Sequence, residues 1–358
     1  MIERAKAFGQ RLFGVQGTDH PRQEDPAEPR TQGPDNDASH IGVSPANLDQ
    51  PGNGAPRAGD EPGRLNMHDW VERTRITLAC RDADIIPRVP EAGGFVQRDG
   101  VECQVMHNGV VIVRDCYYSE HMTSIIRYLR GIHEPQEELC FYEALKYMKP
   151  GATMIELGAY WAYYSLWFHK AVENAQCHLI EIDEGLLKIG IRNFELNEAS
   201  GLFTHAGIGA PDYSDFSSPR KGTYLRGTAG GLVYDGSLRK PGLARNIPLL
   251  TIEDYMGATE IQHCDILHCD IQGEEINMLN QSATVFRDGR VGWLFISTHH
   301  SDDFHARCLQ TVRDLQYKIL AEHNVADSFS GDGLIVARHP SAPGPEMVPI
   351  SRRSQSIY

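Results

Sequence analysis

No two cysteines of this sequence stand in a C-x-x-C spacing, and no secretory leader is expected ahead of them. Cys80, Cys103, Cys116, Cys140, Cys177, Cys264, Cys269 and Cys308 are scattered, which points to reduced thiols in the cytoplasm rather than a disulfide framework. Neither His263-Cys264 nor His268-Cys269 has the spacing of a structural zinc site, so Cys264 and Cys269 read as members of a buried strand. No apolar run approaches the roughly 20 residues that span a bilayer, and Met1 to Gly17 is too short and interrupted for a signal-peptide core. Positive charge is also scarce. Lys and Arg number 34 against 48 Asp and Glu, a net charge of -14, which excludes a nucleic-acid partner that needs a Lys/Arg excess. Aromatic residues are missing between Phe13 and Trp70. That stretch, dominated by Pro, Gly, Asp, Asn, Gln and Arg, cannot bury enough apolar surface to offset its ordering entropy, and 1–66 is expected to be a disordered tail.

What remains has ordinary globular content, 41% apolar and 23% charged, and it divides in two. A small hairpin and helical region is expected over 67–150. Val101 to Asp115 carries two β-rich runs joined at Asn108-Gly109, the signature of a type I′ turn. Ser119 reads as the cap of a helix that Gly131 stops, and Pro135 as the first residue of a helix over 136–148.

Over 151–340 strands and helices alternate. Strands are expected at 153–157, 177–182, 202–206, 266–270, 291–297, 317–322 and 333–337, with helices at 161–171, 184–196, 274–286 and 303–315. Such alternation implies a doubly wound α/β domain with a mostly parallel sheet. Residues 207–246, rich in Gly, Ser, Asp and Tyr, interrupt it as a lid or loop, and 341–358 reads as a flexible tail. Ligands of such sheets bind beyond the strands' carboxyl ends, so chemistry is sought just after Leu157, Ile182, Asp270 and Ser297.

The first of these turns reads MIELGAYWAYYSLWF. Glu156 ends its strand and Gly158 lets the chain turn closely against a ligand. Glu181 ends the second strand in HLIEID, where a carboxylate accepts hydrogen bonds from two ribose hydroxyls. This serves a nicotinamide dinucleotide or S-adenosylmethionine. A dinucleotide needs backbone amides around its pyrophosphate, hence G-x-G-x-x-G. Here Gly158 is followed by Ala159, Tyr160, Trp161 and Ala162, which disfavours a pyrophosphate and suits a cofactor that has none.

Several segments together resemble the FkbM methyltransferase family. The first turn is similar to its D/E-x-G-A-N-x-G-x-x-S pattern, ending at Ser165, and EIDEGLLKIGIRNFELN to its acidic strand end and N-x-x-x-N helix. LLTIEDYM and HCDIQGEEINML are similar to its later blocks. The likeness runs from about Val101 to Ala337. It implies a Rossmann-like class I methyltransferase fold, S-adenosylmethionine as cofactor, and a cofactor site of Glu156, Gly158, Ala159, Tyr160, Ser165, Glu181, Asp183 and Glu137. Tyr160 and Ala162 depart from the family's usual Asn and Gly.

An O-methyltransferase acting on a hydroxyl of a sugar or other small molecule is the leading expectation. Nitrogen or carbon methylation, a nucleotide-sugar oxidoreductase and an inert cofactor-binding module are the alternatives. An aliphatic alcohol must lose its proton to a base or be polarised by a metal. Asp270, at the end of DILHCD, and His299 in THH are the catalytic candidates. No resident metal is assigned; Asp270, Glu274 and His299 are the residues that would hold Mg²⁺ if one binds. Glu274 and Glu275 are also explained as helix-start charges. In HEPQEE, Glu134, Gln136 and Glu137 are candidates to bond the cofactor or to start a helix, while Tyr163 and Tyr164 read as packing residues. A homo-oligomer stays open.

Overall fold

In a computed structural model of the protein the described residues are 70–209, 223–226, 232–235, 249–299 and 301–355. The expected tail over 1–66, most of the 207–246 insertion, and His300 lie outside them. Helix α1 spans Trp70–Ala79, followed by strands β1 (Phe95–Arg98), β2 (Val101–Val105) and β3 (Val111–Val113), then α2 (Ser119–Tyr128) and α3 (Pro135–Leu145). The alternating region runs β4 (Thr153–Leu157), α4 (Tyr163–Ala171), β5 (Gln176–Glu181), α5 (Glu184–Leu196), β6 (Leu202–His205) and β7 (Gly207–Ile208). Short strands β8 (Thr223–Arg226), β9 (Leu232–Asp235) and β10 (Leu249–Leu250) precede α6 (Ile252–Ala258) and β11 (Cys264–Cys269). Helices α7 (Glu275–Gln281) and α8 (Ala283–Arg287), β12 (Val291–Thr298), α9 (Asp302–Asp314), β13 (Lys318–His323) and β14 (Gly333–Arg338) complete it. None of the described helices is long and apolar enough to cross a membrane.

Seven strands form one sheet in the order β13-β14-β12-β11-β4-β5-β6. β4, β5, β6, β11 and β12 are parallel, and β14 runs antiparallel between β12 and β13. The fold is Rossmann-like α/β. Alternate strand residues face opposite layers. Met154, Cys177, Ile266 and Phe295 pack with Phe141, Trp167 and Phe194 of α3, α4 and α5 on one face. Ile155, Ile180, Leu267 and Leu294 pack with Tyr255, Met278, Phe286 and Val312 of α6 to α9 on the other. All eight cysteines are free and buried, Cys264 and Cys269 in β11. From β4 the chain winds outward through β5 and β6, then returns to add β11 and β12 on the other side. The order thus reverses between β4 and β11, the switch point whose carboxyl-end crevice binds ligands in open α/β sheets.

Four local expectations are corrected. The 106–110 turn keeps Gly109 at φ +81° while Asn108 is not left-handed; Gly109 N bonds Met106 O and Met106 N bonds Val110 O. This is a three-residue loop closed by a left-handed glycine, not a type I′ turn. Ser119 does not cap α2: Tyr118 holds that place at φ 48°, with no capping side chain. The helix expected over 274–286 breaks at Ser282, whose hydroxyl instead accepts Ile252 N at 3.0 Å. The segment from 341, expected to be a loose tail, is pinned. Pro343 O accepts the indole of Trp293 and Pro345 O the guanidinium of Arg338, both partly buried. Buried donors need partners, and this segment supplies them.

Candidate functional site

The crevice begins where β4 ends. Gly158 has φ +73°, and a Cβ built on it would stand 1.8 Å from the carbonyl oxygen of Asp270. Only glycine lets the ends of β4 and β11 approach this closely. The bend continues through Tyr160 at φ 41° and Ala162 at φ 62°, both left-handed without being glycine. Departing from Asn and Gly therefore leaves the backbone path in place and loads it with strain. Ala162 packs against Gly190 of α5, whose missing side chain makes room for the Tyr160 carbonyl as well.

Carboxylates occupy the amides of this bend. Glu156, buried in β4, accepts the Ser165 amide in the first turn of α4 at 3.1 Å. Burial pushes its pKa up to about 7, opposed by nearby His268 and by Ser165. Glu181 accepts the amides of Tyr160 at 3.0 Å and Asp183 at 2.9 Å; burial raises it, and these bonds oppose the rise. Asp183 caps α5, accepting from Gly185 and Leu186, and Ala159 is buried with its amide on Ile180 O.

A second acidic group descends from the start of α3. Glu137 Oε1 lies 2.8 Å from His268 Nε2, and burial raises Glu137 to about 8. Glu134 is likewise pushed to about 8 by burial, against the pull of His133 and Arg73. Glu138 behaves oppositely: burial favours its neutral form, but His133 at 2.6 Å outweighs that and lowers its pKa. Gln136 faces away, joining Phe329 N to Ser351 O.

Beyond β11 and β12 the candidates meet. His299 Nε2 lies 3.1 Å from Asp270 and its Nδ1 3.2 Å from Glu275, with Asp332 at 3.6 Å. Burial would lower the His299 pKa, but Asp270 and its neighbours raise it well above the ordinary value. For Asp270 burial works upward, and the His299 cation outweighs it to hold the carboxyl low. Carboxylates beside both His299 nitrogens favour its protonated form, and its Nε2 also lies 2.9 Å from the Gln272 amide nitrogen. Asp270 is the more accessible partner, its side chain 35% exposed. Glu274 points elsewhere, onto Asn277, and among the described residues no group of three or more His, Cys, Asp or Glu is arranged to hold a metal.

Residues 149–319 match the family model described as the methyltransferase FkbM domain. This stretch of the chain is similar to the FkbM methyltransferase domain. Solved structures similar to it include the precorrin-6y C5,15-methyltransferase of Geobacter metallireducens, at 13% identity and TM-score 0.34, covering 58% of this chain and 90% of that one. Aeropyrum pernix fibrillarin with bound S-adenosyl-L-methionine is similar at 12% identity and TM-score 0.30, over 53% of this chain and 67% of that one. M. capricolum TrmK in complex with S-adenosyl-homocysteine is similar at 13% identity and TM-score 0.33, over 57% and 69%. No curated protein matches the chain significantly.

The matched stretch contributes Glu156, Gly158, Glu181, Asp270 and His299. From outside its limits Glu137 meets His268, Tyr117 and Tyr118 meet Tyr160, Asp332 meets His299, and Arg73 meets Glu134. Asp332 went unrecognised in the sequence. It precedes β14, and because β14 is antiparallel its start shares the edge where the parallel strands end. The S-G-D-G run before a last strand is the signal that could have found it. Tyr117 stacks on Trp161 at 4.3 Å and meets Tyr160 edge-on at 5.4 Å; two aromatics before a helix carried no such signal.

Proposed function

We propose that the protein is an S-adenosylmethionine-dependent methyltransferase that methylates a hydroxyl of a sugar or other small molecule. One observation carries the choice of cofactor. The Tyr160 and Ser165 amides, at the bend and first helical turn where a dinucleotide's pyrophosphate would seat, are taken by the carboxylates of Glu181 and Glu156. An anion placed there meets like charge, whereas a cationic sulfonium is attracted. Gly158, Ala159, Tyr160 and Ser165 form the bend along the cofactor, Glu181 and Asp183 its ribose end, and Glu137 the wall above.

The cofactor, when bound, supplies an electrophilic methyl group. The chain orients the acceptor and excludes water, Tyr117, Tyr118 and Trp161 giving the crevice apolar walls. Asp270, low in pKa, is a weak base for a free alcohol. The hydroxyl becomes strongly acidic as its oxygen gains the methyl carbon, so a late proton transfer to Asp270 suffices, with His299 holding the carboxylate in place.

Calorimetric titration with S-adenosylmethionine, S-adenosylhomocysteine and NAD tests the reading. Binding of the first two and not the third is expected; tight binding of NAD alone would overturn it. Asp270→Asn should retain cofactor affinity while turnover falls on the order of a hundredfold, in the range for a positioned acid or base. A nitrogen acceptor is the second reading, favoured by the acidic surroundings of Asp270 and Asp332, and product analysis with labelled cofactor separates the two.

A further inference from the structure

The side chain of Arg73, on α1, is 4% exposed and lies beside Glu134. Its Nη2 lies 3.6 Å from Glu134 Oε1, a long ion pair, and its buried Nε has no hydrogen-bond partner among the described residues. A guanidinium is rarely left so incompletely bonded, because each buried unpaired donor costs about 1–3 kcal/mol. A second orphan lies in the field of the same glutamate. The Tyr164 hydroxyl is buried without a partner among the described residues, and its ring packs on His268 at 4.3 Å. His268 in turn holds Glu137. This cluster therefore presents unfilled donors, Arg73 Nε and Tyr164 Oη, beside the carboxyl groups of Glu134 and Glu137. That pairing is complementary to an α-amino-acid zwitterion, whose carboxylate takes the donors and whose ammonium takes the carboxylates.

We propose that Arg73, with Tyr164, binds the carboxylate of the cofactor's amino-acid end, and that Glu134 and Glu137 bind its ammonium. The assignment rests on the sulfonium-cofactor reading above. It extends the cofactor site to α1 and α3, both outside the matched methyltransferase domain. Arginine suits the task because its planar fork can place two donors on one carboxylate.

The test uses the full chain and three probes: S-adenosylhomocysteine, its carboxyl methyl ester, and 5′-methylthioadenosine, which lacks the amino-acid end. In the wild type the ester and methylthioadenosine should bind on the order of ten- to a hundredfold more weakly than S-adenosylhomocysteine, the cost of losing a charge-assisted bond. Arg73→Gln should bring S-adenosylhomocysteine to the level of the ester while leaving ester and methylthioadenosine affinities unchanged. Arg73→Lys should recover part of the difference. Equal wild-type affinity for S-adenosylhomocysteine and its ester would overturn the proposal without needing any variant to fold. So would a folded Arg73→Gln that still separates the two. If no adenosyl probe binds the wild type, the cofactor reading itself falls, a result distinct from both.

Discussion

Replacing Gly158 with alanine probes the crevice at its narrowest point. The new Cβ would stand 1.8 Å from the Asp270 carbonyl oxygen at a backbone φ of +73°, where nonbonded heavy atoms settle at about 3.5 Å. The left-handed conformation alone costs a residue with a Cβ roughly 1–2 kcal/mol. Relieving the clash means separating the ends of β4 and β11. That strains the bonds from Asp270 N to Leu157 O at 3.0 Å and from Gly158 N to Ile180 O at 2.9 Å, each worth about 1 kcal/mol. The sum is a loss of about 3–4 kcal/mol in urea unfolding. Gly100 supplies the control. It has φ +74° with nothing within 4 Å of its Cβ position, so Gly100→Ala isolates the backbone cost at roughly 1–2 kcal/mol. Because the displaced groups floor the crevice, Gly158→Ala should also weaken S-adenosylhomocysteine binding more than about tenfold, an energy near 1.4 kcal/mol. If Gly158→Ala costs no more than Gly100→Ala and binds the cofactor unchanged, the close-approach argument is wrong.

Three further outcomes follow from the charges and the bend. His299→Gln should destabilise the fold by about 3 kcal/mol by leaving buried Glu275 without its cation. Since the folded-state pKa of His299 is raised, its contribution is full below the ordinary histidine value and is lost as pH rises through the higher folded one. The gap between variant and wild type in thermal unfolding should therefore narrow on the alkaline side; a gap independent of pH would contradict the imidazolium assignment. Burial raises Glu134 and Glu137 to about 8, so their neutral forms stabilise the free protein most below the ordinary carboxylate pKa, and that stability is lost as pH rises through about 8. Binding a cationic cofactor should ionise them and release protons. Titration calorimetry in buffers of different ionisation enthalpy would show a buffer-dependent heat and an affinity that rises toward pH 8, and a buffer-independent heat would count against it. Tyr160→Asn should raise stability by about 0.5–1 kcal/mol by relieving a left-handed tyrosine, less whatever its contact with Tyr117 contributes. Unfolding midpoints decide the sign.

Much of the fold was legible because strand and helix periods differ and punctuation marks the joints. Thr153–Leu157 and Glu184–Leu196 have the bounds their patterns predict. The errors fall where a tertiary partner overrides a local signal. Ser282 breaks a helix because its hydroxyl satisfies Ile252 N of another element, and the segment after 341 is held by donors on β12 and β14. The strand ends pointed to the stretch with Glu156, Gly158, Glu181, Asp270 and His299, because strand ends converge in this topology. Arg73, Tyr118 and Asp332 stand at helix and loop positions that no periodicity marks. His299 was legible as a residue of interest and not in its charge state, since that depends on Asp270, Glu275 and Asp332 closing around it from three separate segments.

On the sulfonium reading, the arrangement accounts for a strand-to-helix turn that favours a cation. A strand-to-helix turn exposes free amides and the positive end of a dipole, and by default it attracts anions. Here two carboxylates, one inside β4 and one at the end of β5, accept the Ser165 and Tyr160 amides respectively. With those donors occupied, what faces the crevice is a set of acidic oxygens partly neutralised by their own burial. Removing either carboxylate would therefore do more than delete a contact: it would free an amide and return the turn toward anion affinity. Glu181→Gln, which keeps an acceptor but no charge, should lose less of the fold than of the discrimination between S-adenosylmethionine and anionic nucleotides.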